Sequence, residues 1–510
     1  MMLPSTLWLL TFGYAAHAAT LKRHVGCAIF ADQIKDVING TTVTNSSVVA
    51  PGEIISSGYW NNYTLCRVIG STSYAGGNTV NWELWLPETS NYNGRYLAVG
   101  NSGLAGAIDT WNLILSANEG YAVAGGDSGH LLSLNGNGTT EPGQYIPFMH
   151  NEYQTRSWIQ NSIATFTVPT REFTKRYYSK KPKHHYYKGC STGGAQGFAL
   201  AQYHPDLFDG IYAGCPGNWY SHLILSFLWN GLHAKGDGYL SQDALDLIGN
   251  ATIDQCDGND GVYDRLIENP LECDFNITSL QCADSTTNSS SCLTAAQVAT
   301  AKAIYAGPKD PRNGTQVYPG FNFGSESSWI YQESTLYVNY STPILQNLVF
   351  NDLTYNVSTF DFGADVDTVD STASPKIDEI TANLSAFKKN GGKMIVTQGW
   401  ADPYNAATWP IEHLHQLQDY FEGDVSDFFN IFMIPGGGHC GTAPYVTQAP
   451  ATYHVLERLT SWVEDGEVPE DVESSNPEDG SNRTRKLCPW PKTAVYTSGD
   501  SEDWTSYVCE

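Results

Sequence analysis

The sequence predicts an α/β fold whose parallel sheet is interrupted by a large insertion. Short apolar segments alternate with helical stretches, and the same rhythm returns near the carboxyl end. The segments are GRYLAVG (94–100), YAVAGG (121–126), DGIYAGCP (209–216), GGKMIVTQGWADP (391–403) and FFNIFMIPGGGHC (428–440), with helices predicted over 159–178 and 193–208. Buried strands separated by helices are typical of a parallel sheet with crossover connections.

The segment between these two blocks has a different composition. From about 217 to 388 the chain is rich in Asn, Ser, Thr, Tyr and Trp, holds four cysteines and shows few periodic strands. A chain of 510 residues is also too long for one small domain. We therefore predict one α/β domain formed by 19–216 and 389–510, with 217–388 inserted into it. Cys488 and Cys509 predict that the polar tail is held in place.

Composition and the amino terminus bear on partners and location. A net charge of −26 and a pI near 4.7 disfavour nucleic acid and anionic membranes as partners, because both would repel the protein. An apolar run at 6–15 followed by Ala-His-Ala is too short to span a bilayer and predicts a signal peptide over 1–18. Eleven cysteines and twelve N-x-S/T sequons also predict a secreted, extracellular glycoprotein. The sequons begin at Asn39, Asn45, Asn62, Asn137, Asn250, Asn276, Asn288, Asn313, Asn339, Asn356, Asn383 and Asn482.

The stretch KGCSTGGAQG (188–197) carries a G-x-S-x-G pattern centred on Ser191. An apolar strand precedes the serine and a helix that starts with small residues follows it, which is the setting of a nucleophile elbow. Such a turn exposes the serine hydroxyl and directs the backbone N–H of Thr192 towards a developing oxyanion. The alternative is an ordinary glycine-rich turn between a strand and a helix.

Two further residues follow strand-like runs in the order that an α/β-hydrolase needs. Asp402 ends MIVTQGWAD, and His439 lies near the end of IFMIPGGGHC. Loops at the carboxyl edge of a parallel sheet place functional groups, and Ser…Asp…His is the chain order of α/β-hydrolase triads. The imidazole would take the serine proton, and the carboxylate would fix its tautomer. We therefore predict a triad of Ser191, Asp402 and His439.

A second oxyanion donor is expected from the loop NSGLAG (101–106), which follows the strand at 94–100. Its glycines permit close approach of the backbone to a ligand. Gly103 is the favoured donor and Leu104 the next, while a plain turn is the alternative.

The serine and the histidine each have a neighbouring cysteine. Cys190 precedes Ser191, and Cys440 follows His439. If the serine and the histidine touch, their neighbours are close enough to be cross-linked, so we predict a Cys190–Cys440 disulfide that clamps the two loops. The alternative, two buried free thiols, is disfavoured by secretion.

GCSTGG, GWADP and GGGHC together resemble the fungal tannase/feruloyl esterase family, which carries Cys-Ser, Asp and His-Cys elements in this order. The resemblance extends over nearly the whole mature chain, including GNSGLAG and the insertion. It implies an α/β-hydrolase core with a lid domain inserted between the serine and the aspartate. It also implies a secreted carboxylesterase acting on small phenolic acid esters, including esters attached to plant cell-wall sugars.

The insertion contains a dense acidic stretch, CDGNDGVYDRL (256–266). Asp257, Asp260 and Asp264 could direct oxygen ligands at one cation, although the spacing is not that of an EF-hand. A solvated acidic turn is the alternative. The family resemblance implies a structural Ca²⁺ bound there by these three side chains and by the carbonyls of Val262 and Leu266. No organic cofactor is expected.

The other cysteines are assigned by proximity in the sequence. The predicted pairs are Cys256–Cys273, Cys282–Cys292 and Cys488–Cys509, with Cys27–Cys66 as the remaining amino-terminal pair. Family members often have a further cysteine after the GLAG loop, where this chain has Ala107, so that pairing cannot form here. Cys215 is then the odd thiol, expected to be buried after its strand.

The leading functional hypothesis is a serine esterase of phenolic acid esters, with hydroxycinnamoyl esters favoured and galloyl esters second. A serine peptidase and a non-catalytic, calcium-stabilised glycoprotein on the same fold are alternatives. A lid of this size predicts an enclosed pocket suited to a planar acid. The sequence does not predict an oligomeric state.

Overall fold

The protein is described from a computed structural model, which covers residues 26–135, 142–283, 291–441 and 443–510. The predicted signal peptide and the sequons at Asn137 and Asn288 lie outside the described residues. None of the helices in these ranges is long and apolar enough to cross a membrane.

The strands are β1 (Thr41–Val49), β2 (Ile55–Ser56), β3 (Tyr59–Trp60), β4 (Leu65–Tyr74), β5 (Asn78–Pro87), β6 (Tyr96–Val99), β7 (Ala122–Gly126), β8 (His185–Cys190), β9 (Gly210–Gly214), β10 (Lys393–Gly399), β11 (Phe429–Ile434), β12 (Pro450–Tyr453), β13 (Val472–Pro477), β14 (Arg485–Leu487), β15 (Ala494–Tyr496) and β16 (Tyr507–Cys509). The α-helices are α1 (Phe30–Ile34), α2 (Thr110–Asn118), α3 (Glu152–Arg156), α4 (Ser162–Tyr178), α5 (Thr192–Tyr203), α6 (Tyr220–His233), α7 (Gln242–Cys256), α8 (Ala295–Ala306), α9 (Ile330–Ser334), α10 (Thr342–Ile344), α11 (Ala364–Thr372), α12 (Ser374–Ile377), α13 (Ser385–Lys389), α14 (Trp409–Phe421) and α15 (Val455–Asp465).

The first of two compact units contains the described residues up to Val99 together with 106–130 and 162–186. Its strands follow the order β1–β4–β5–β7–β6. The first three pairings are antiparallel and β6–β7 is parallel. Alternate side chains of β5 are fully buried, as expected for a strand with one face in a core. The Cys27–Cys66 disulfide ties the segment before α1 to β4.

The second unit contains 100–105, 131–161 and 187–510. Its strands follow the order β8–β9–β10–β11, with most of β8 inside the unit. The pairings β9–β10 and β10–β11 are parallel. Both β10 and β11 are buried along almost their whole length, as expected for strands covered on both faces. Because the strands are parallel, the turns after β10 and β11 lie at the same edge of the sheet.

The predicted insertion, 217–388, contains helices α6 to α12. Its described residues include no strand, only isolated bridges such as Gln281–Leu293. The two ends of the segment lie together, because the Asn218 carbonyl accepts a hydrogen bond from the Glu379 N–H (2.7 Å) and the Asn218 side chain donates to the Glu379 carbonyl (3.1 Å). The chain therefore leaves and rejoins the α/β core at one place.

The tail after 466 is ordered into short antiparallel pairings. Strands β12, β13 and β14 form one small sheet, and β15 and β16 form another that the Cys488–Cys509 disulfide closes. Ala494 and Tyr507 of the second sheet share a buried apolar cluster with Val262 of the insertion. The tail is thus packed against the acidic stretch of the insertion.

Candidate active site

Ser191 occupies a sharp turn between β8 and α5. Its backbone angles are φ 63° and ψ −121°, a region that residues other than glycine rarely adopt and that is held by the surrounding structure at functional sites. The Ser191 N–H donates to the Gly214 carbonyl at the end of β9 (2.9 Å), and the Ser191 carbonyl accepts from the Gly217 N–H (3.1 Å). A Cβ on Gly193 would lie 2.8 Å from the Asn101 carbonyl oxygen, so this close approach requires glycine.

Asp402 and His439 form a hydrogen-bonded pair at the carboxyl edge of the sheet. His439 Nδ1 lies 2.8 Å from Oδ2 and 3.0 Å from Oδ1 of Asp402. An Nδ1 that faces two carboxylate oxygens carries the proton in the neutral ring, which leaves Nε2 as the nitrogen that can accept one. Asp402 also accepts hydrogen bonds from the backbone N–H groups of Tyr404 (2.8 Å) and Asn405 (3.1 Å).

The carboxyl group of Asp402 is completely buried but remains easily ionised. Burial by itself would raise its pKa, yet His439 and the two backbone donors outweigh burial and hold the pKa below its ordinary value. A further donor, the Gln398 side chain, lies 2.9 Å from Oδ2. Sequence analysis did not identify Gln398, although it lies only four residues before Asp402.

The structure contains all five predicted disulfides, and Cys190–Cys440 is the one at this site. It joins the residue before Ser191 to the residue after His439, with their Cα atoms 5.9 Å apart. The cross-linked residues are 250 positions apart in the chain, and the chain-entropy model gives about 4–5 kcal/mol for closing such a loop. The disulfide therefore brings the two loops together independently of substrate.

The two predicted oxyanion donors are linked by a hydrogen bond. The Gly103 carbonyl accepts from the Thr192 hydroxyl (2.8 Å) and from the Trp158 indole (3.2 Å). Gly103 has φ 54°, and no acceptor for its N–H occurs among the described residues. Thr192 is the first residue of α5, where the N–H has no acceptor within the helix. Neither N–H group therefore has a hydrogen-bond acceptor among the described residues.

Cys215 is the free thiol, and it is buried as expected from the sequence. Its Sγ, an Asp402 oxygen and a His439 nitrogen lie within 4.8 Å of one another, a proximity that the sequence did not indicate. The Cys440 N–H points at Sγ from 3.5 Å. Burial, followed by the nearby charge of Asp402, raises the pKa of this thiol far above its usual range. Cys215 is therefore an uncharged packing group under the Asp402–His439 pair.

The ring of Tyr404 packs against the ring of His439. Its ring centroid lies 4.4 Å from that of His439, with the two planes tilted by 31°. The rings of Tyr331, on α9 of the insertion, and Tyr404 are 6.3 Å apart. Sequence analysis singled out neither tyrosine. The proximity of Tyr404 to the GWADP motif was the one available signal.

The acidic stretch of the insertion lies against the carboxyl-terminal tail. Arg485 on β14 is only 1% exposed, and its guanidinium donates to Asp260 (2.9 Å), to Asp264 and to Glu268 (3.3 Å). Asp257 is also buried, and its Oδ1 accepts from the Asp264 N–H (3.2 Å). Sequence analysis did not identify Glu268 or Arg485 as part of this cluster.

The charges of this cluster fit a bound divalent cation. Three carboxylates, on Asp260, Asp264 and Glu268, contact the Arg485 guanidinium, and Asp257 lies beside Asp264. The cluster therefore has an excess of negative charge, which is costly to hold in a largely buried place unless a cation balances it. Carboxylate and carbonyl oxygens are the ligands that Ca²⁺ prefers. The predicted ligands Asp257, Asp260 and Asp264 thus lie where a cation is needed, next to the predicted carbonyls of Val262 and Leu266.

Comparison with known proteins places this architecture in a family. Residues 66–510 match the family model described as tannase and feruloyl esterase. A probable feruloyl esterase B from Aspergillus niger is 31% identical to the chain, and the match covers 97% of each protein. The crystal structure of feruloyl esterase B from Aspergillus oryzae is similar with a TM-score of 0.85 at 26% identity, covering 96% of this chain and 100% of that one.

A tannin acyl hydrolase from Aspergillus niger shares the fold, with a TM-score of 0.79 and 22% identity over 94% of each chain. These similarities confirm the predicted α/β-hydrolase fold. Because the family model spans most of the sequence, this chain belongs to the tannase and feruloyl esterase family, whose members are carboxylic ester hydrolases.

Proposed function

We propose that this protein is a secreted serine carboxylesterase that hydrolyses phenolic acid esters, with hydroxycinnamoyl esters of the feruloyl type preferred. The observation that carries the proposal is the Asp402–His439 pair, which the Cys190–Cys440 disulfide ties to the residue before Ser191. A strained serine, an oriented histidine and two available N–H donors are the parts of an acyl-transfer site.

The reaction would proceed through an acyl-enzyme. Ser191 Oγ forms a bond to the ester carbonyl carbon while its proton passes to His439 Nε2, and the carbonyl π electrons move to oxygen. The N–H groups of Gly103 and Thr192 donate to that oxyanion. As the tetrahedral intermediate collapses, the bond to the alcohol oxygen breaks and His439 protonates the leaving alcohol. Water then attacks the acyl-enzyme by the same steps in reverse order.

Asp402 would keep its negative charge throughout. It holds the proton on His439 Nδ1 and stabilises the imidazolium that forms after proton transfer. Its low pKa supports this role, because a protonated Asp402 could not accept the hydrogen bond from Nδ1 in the same way.

The preference for hydroxycinnamoyl esters rests on similarity to named relatives. The relative from Aspergillus niger at 31% identity and the structure from Aspergillus oryzae at 26% are both feruloyl esterases of type B. Galloyl esters are the second candidate, since the family also includes tannases. Tyr404, which lies beside His439, and Tyr331, whose ring is 6.3 Å from that of Tyr404, provide aromatic surface for a planar acid.

Calcium and secretion complete the proposal. A Ca²⁺ held by Asp257, Asp260 and Asp264, with the carbonyls of Val262 and Leu266, would supply positive charge to the acidic cluster and stabilise the lid. It would take no part in the chemistry of Ser191. Five disulfides support secretion, because such bonds persist in oxidising compartments.

The test is hydrolysis of methyl ferulate, p-coumarate, caffeate, sinapate and gallate by the purified protein beside Ser191→Ala. We expect rapid cleavage of the hydroxycinnamates, slower cleavage of the gallate, no cleavage of peptide amides, and a loss of about 10⁶-fold in Ser191→Ala. Ser371→Ala, at an exposed position on α11, is the matched control and should behave as wild type. Near-normal turnover in Ser191→Ala would contradict the triad, and failure to cleave any phenolic ester would favour the non-catalytic alternative.

A further inference from the structure

A lid tyrosine, Tyr340, reaches the predicted oxyanion loop. It lies on the helical turn Tyr337–Ser341 between α9 and α10. Its hydroxyl oxygen is 3.2 Å from the position that a Cβ on Gly103 would occupy. Gly103 is a predicted oxyanion donor whose N–H has no acceptor among the described residues, so the hydroxyl lies beside the proposed position of the substrate carbonyl.

Two other tyrosines define the position of Tyr340 more closely. Tyr220 lies near the Thr192 side chain and near enough to Tyr340 for the two phenols to interact electrostatically. Tyr404, which lies over the His439 ring, interacts with Tyr340 in the same way. Tyr340 is thus adjacent to Gly103, to Tyr220 and to Tyr404. Tyr220 lies near Thr192, and Tyr404 lies over the His439 ring.

The hydroxyl of Tyr340 has no hydrogen-bond partner among the described residues. Its ring is fixed by the lid core and lies 5.9 Å from that of Phe227 on α6. Burial raises the pKa of Tyr340, so the hydroxyl keeps its proton and is able to donate. An unused donor on a fixed ring, directed at the loop that binds the carbonyl oxygen, is suited to stabilise charge that develops there.

We propose that the Tyr340 hydroxyl is a third oxyanion donor, supplied by the lid. The inference rests on the proposed esterase function. When Ser191 Oγ bonds to the carbonyl carbon, Tyr340 donates a hydrogen bond to the oxygen that receives the π electrons and keeps its own proton. The bond strengthens as charge develops and weakens when the carbonyl re-forms. The lid then contributes to rate as well as to binding.

The competing role for Tyr340 is recognition of the phenolic hydroxyl of the substrate. That hydroxyl lies at the far end of a hydroxycinnamoyl group, whereas Tyr340 lies beside Gly103 at the carbonyl end. The two roles differ in their dependence on substrate. An oxyanion donor contributes to the hydrolysis of every ester. A residue that recognises the phenolic hydroxyl contributes only to esters that carry such a hydroxyl.

The experiment compares Tyr340→Phe with wild type on methyl cinnamate, which has no phenolic hydroxyl, and on methyl 4-hydroxycinnamate. We expect kcat to fall about 10²-fold on both esters with KM little changed. Tyr337→Phe is the matched control, since it lies on the same turn and keeps its ring against Lys235, and it should retain wild-type kcat. Equal activity of Tyr340→Phe and wild type, or a loss confined to the hydroxylated ester, would overturn the proposal.

Binding of phenylboronic acid gives a second measurement, because its tetrahedral adduct with a serine mimics the intermediate. Tyr340→Phe should bind it about 10²-fold more weakly and bind the product cinnamate as well as wild type. Equal boronate affinity would count against the donor role. The melting temperature should not change, because the lost hydroxyl has no protein partner. If wild type itself cleaves neither ester, the proposed function fails, and that result differs from a normal wild type with an unaffected Tyr340→Phe.

Discussion

Asp402 is fully buried and Asp260 is largely buried, and each carboxylate contacts a basic side chain, yet their pKa values move in opposite directions. Asp402 accepts hydrogen bonds from His439, Gln398 and two backbone N–H groups, and its pKa is lowered. Asp260 is bonded to Arg485 and to the Val262 N–H, but burial and the charge of Asp264 raise its pKa. Contact with one basic side chain therefore does not decide whether the pKa of a buried carboxylate rises or falls.

The difference lies in how many carboxylates share the available donors. One carboxylate at the sheet edge receives four donors, whereas three carboxylates, on Asp260, Asp264 and Glu268, share one guanidinium, with Asp257 close beside them. Burial is costly for both clusters, and only the first offsets it with protein groups alone. This difference favours the proposed catalytic role of Asp402 and the proposed cation site at the acidic cluster.

The largest expected effect is the loss of activity when Asp402, whose buried charge is balanced by four donors, is replaced. Asp402→Asn should lower kcat/KM about 10⁴-fold, because the amide cannot hold His439 in the correct tautomer. Added calcium should restore nothing. The control is Asp427→Asn, an exposed partner of Lys388, which should leave esterase kinetics unchanged. A loss below tenfold would show that Asp402 does not orient the histidine.

The next effect is on Arg485, the cation that contacts three carboxylates of the acidic cluster. Arg485→Met should lower the free energy of unfolding by about 3–5 kcal/mol, since it leaves Asp260, Asp264 and Glu268 without their counter-charge. Excess calcium should recover part of that loss. Arg458→Met, which breaks the more exposed pair with Asp471, should cost about 0–1 kcal/mol. Chemical denaturation measures both variants, and equal losses would contradict the comparison.

Calcium removal should have a smaller effect. Chelation should lower the melting temperature, because a ligand that binds only the folded state at 100 times its Kd stabilises it by about 2.7 kcal/mol. Asp257→Asn should abolish the response to chelator, and it leaves every contact of Arg485 in place. Activity per folded molecule should be unaffected. If chelator does not change the melting temperature of wild type, the cluster binds no calcium.

The last effect is a gradual dependence of stability on pH, and it concerns Glu333, a buried carboxylate on α9 that has no basic partner among the described residues. Its Oε2 accepts from the Leu240 N–H (2.9 Å), its Oε1 has no partner, and burial raises its pKa to about 8. The folded state then holds a proton that the unfolded chain releases above about pH 4.3, so stability falls by about 1.4 kcal/mol per pH unit from there to about pH 8.

Glu333→Gln should remove that proton linkage and flatten the decline of melting temperature over this range. Glu457→Gln, at an exposed position on α15, should leave the decline as in wild type. An unchanged slope in Glu333→Gln would show that Glu333 titrates as an exposed glutamate does.

The parts of the molecule that sequence predicted are those that short motifs specify. Ser191, Asp402 and His439 each follow a strand within a few residues of the chain. The local sequence pattern therefore places each of them at the edge of the sheet. The cysteines paired as expected. Three pairs were predicted from their proximity in the sequence, Cys27–Cys66 was the pair that remained, and Cys190–Cys440 was predicted because these cysteines adjoin Ser191 and His439. The fold class followed from the same alternation of strands and helices.

Contacts between distant segments were not predictable in this way. Arg485 meets Asp260 and Asp264 across more than 200 residues, and no periodicity or motif links the tail to the insertion. Tyr340 likewise lies in a polar, aromatic stretch where many tyrosines are equivalent in sequence. Their positions depend on how the insertion and the tail pack, which one sequence does not reveal.

The insertion also sets the order in which the molecule can be built. Strands β9 and β10 pair in the sheet, but 217–388 lies between them in the chain. At about 5–20 residues per second, the ribosome needs roughly 10–35 s to synthesise that segment. During this interval the edge of β9 that will pair with β10 has no partner strand. Cys440 has not yet been synthesised, so Cys190 is unpaired, whereas Cys256 and Cys273 have both been synthesised. A nascent chain stopped before β10 should therefore expose an unpaired strand edge and an unpaired Cys190 thiol until the segment that carries His439 and Cys440 has been made.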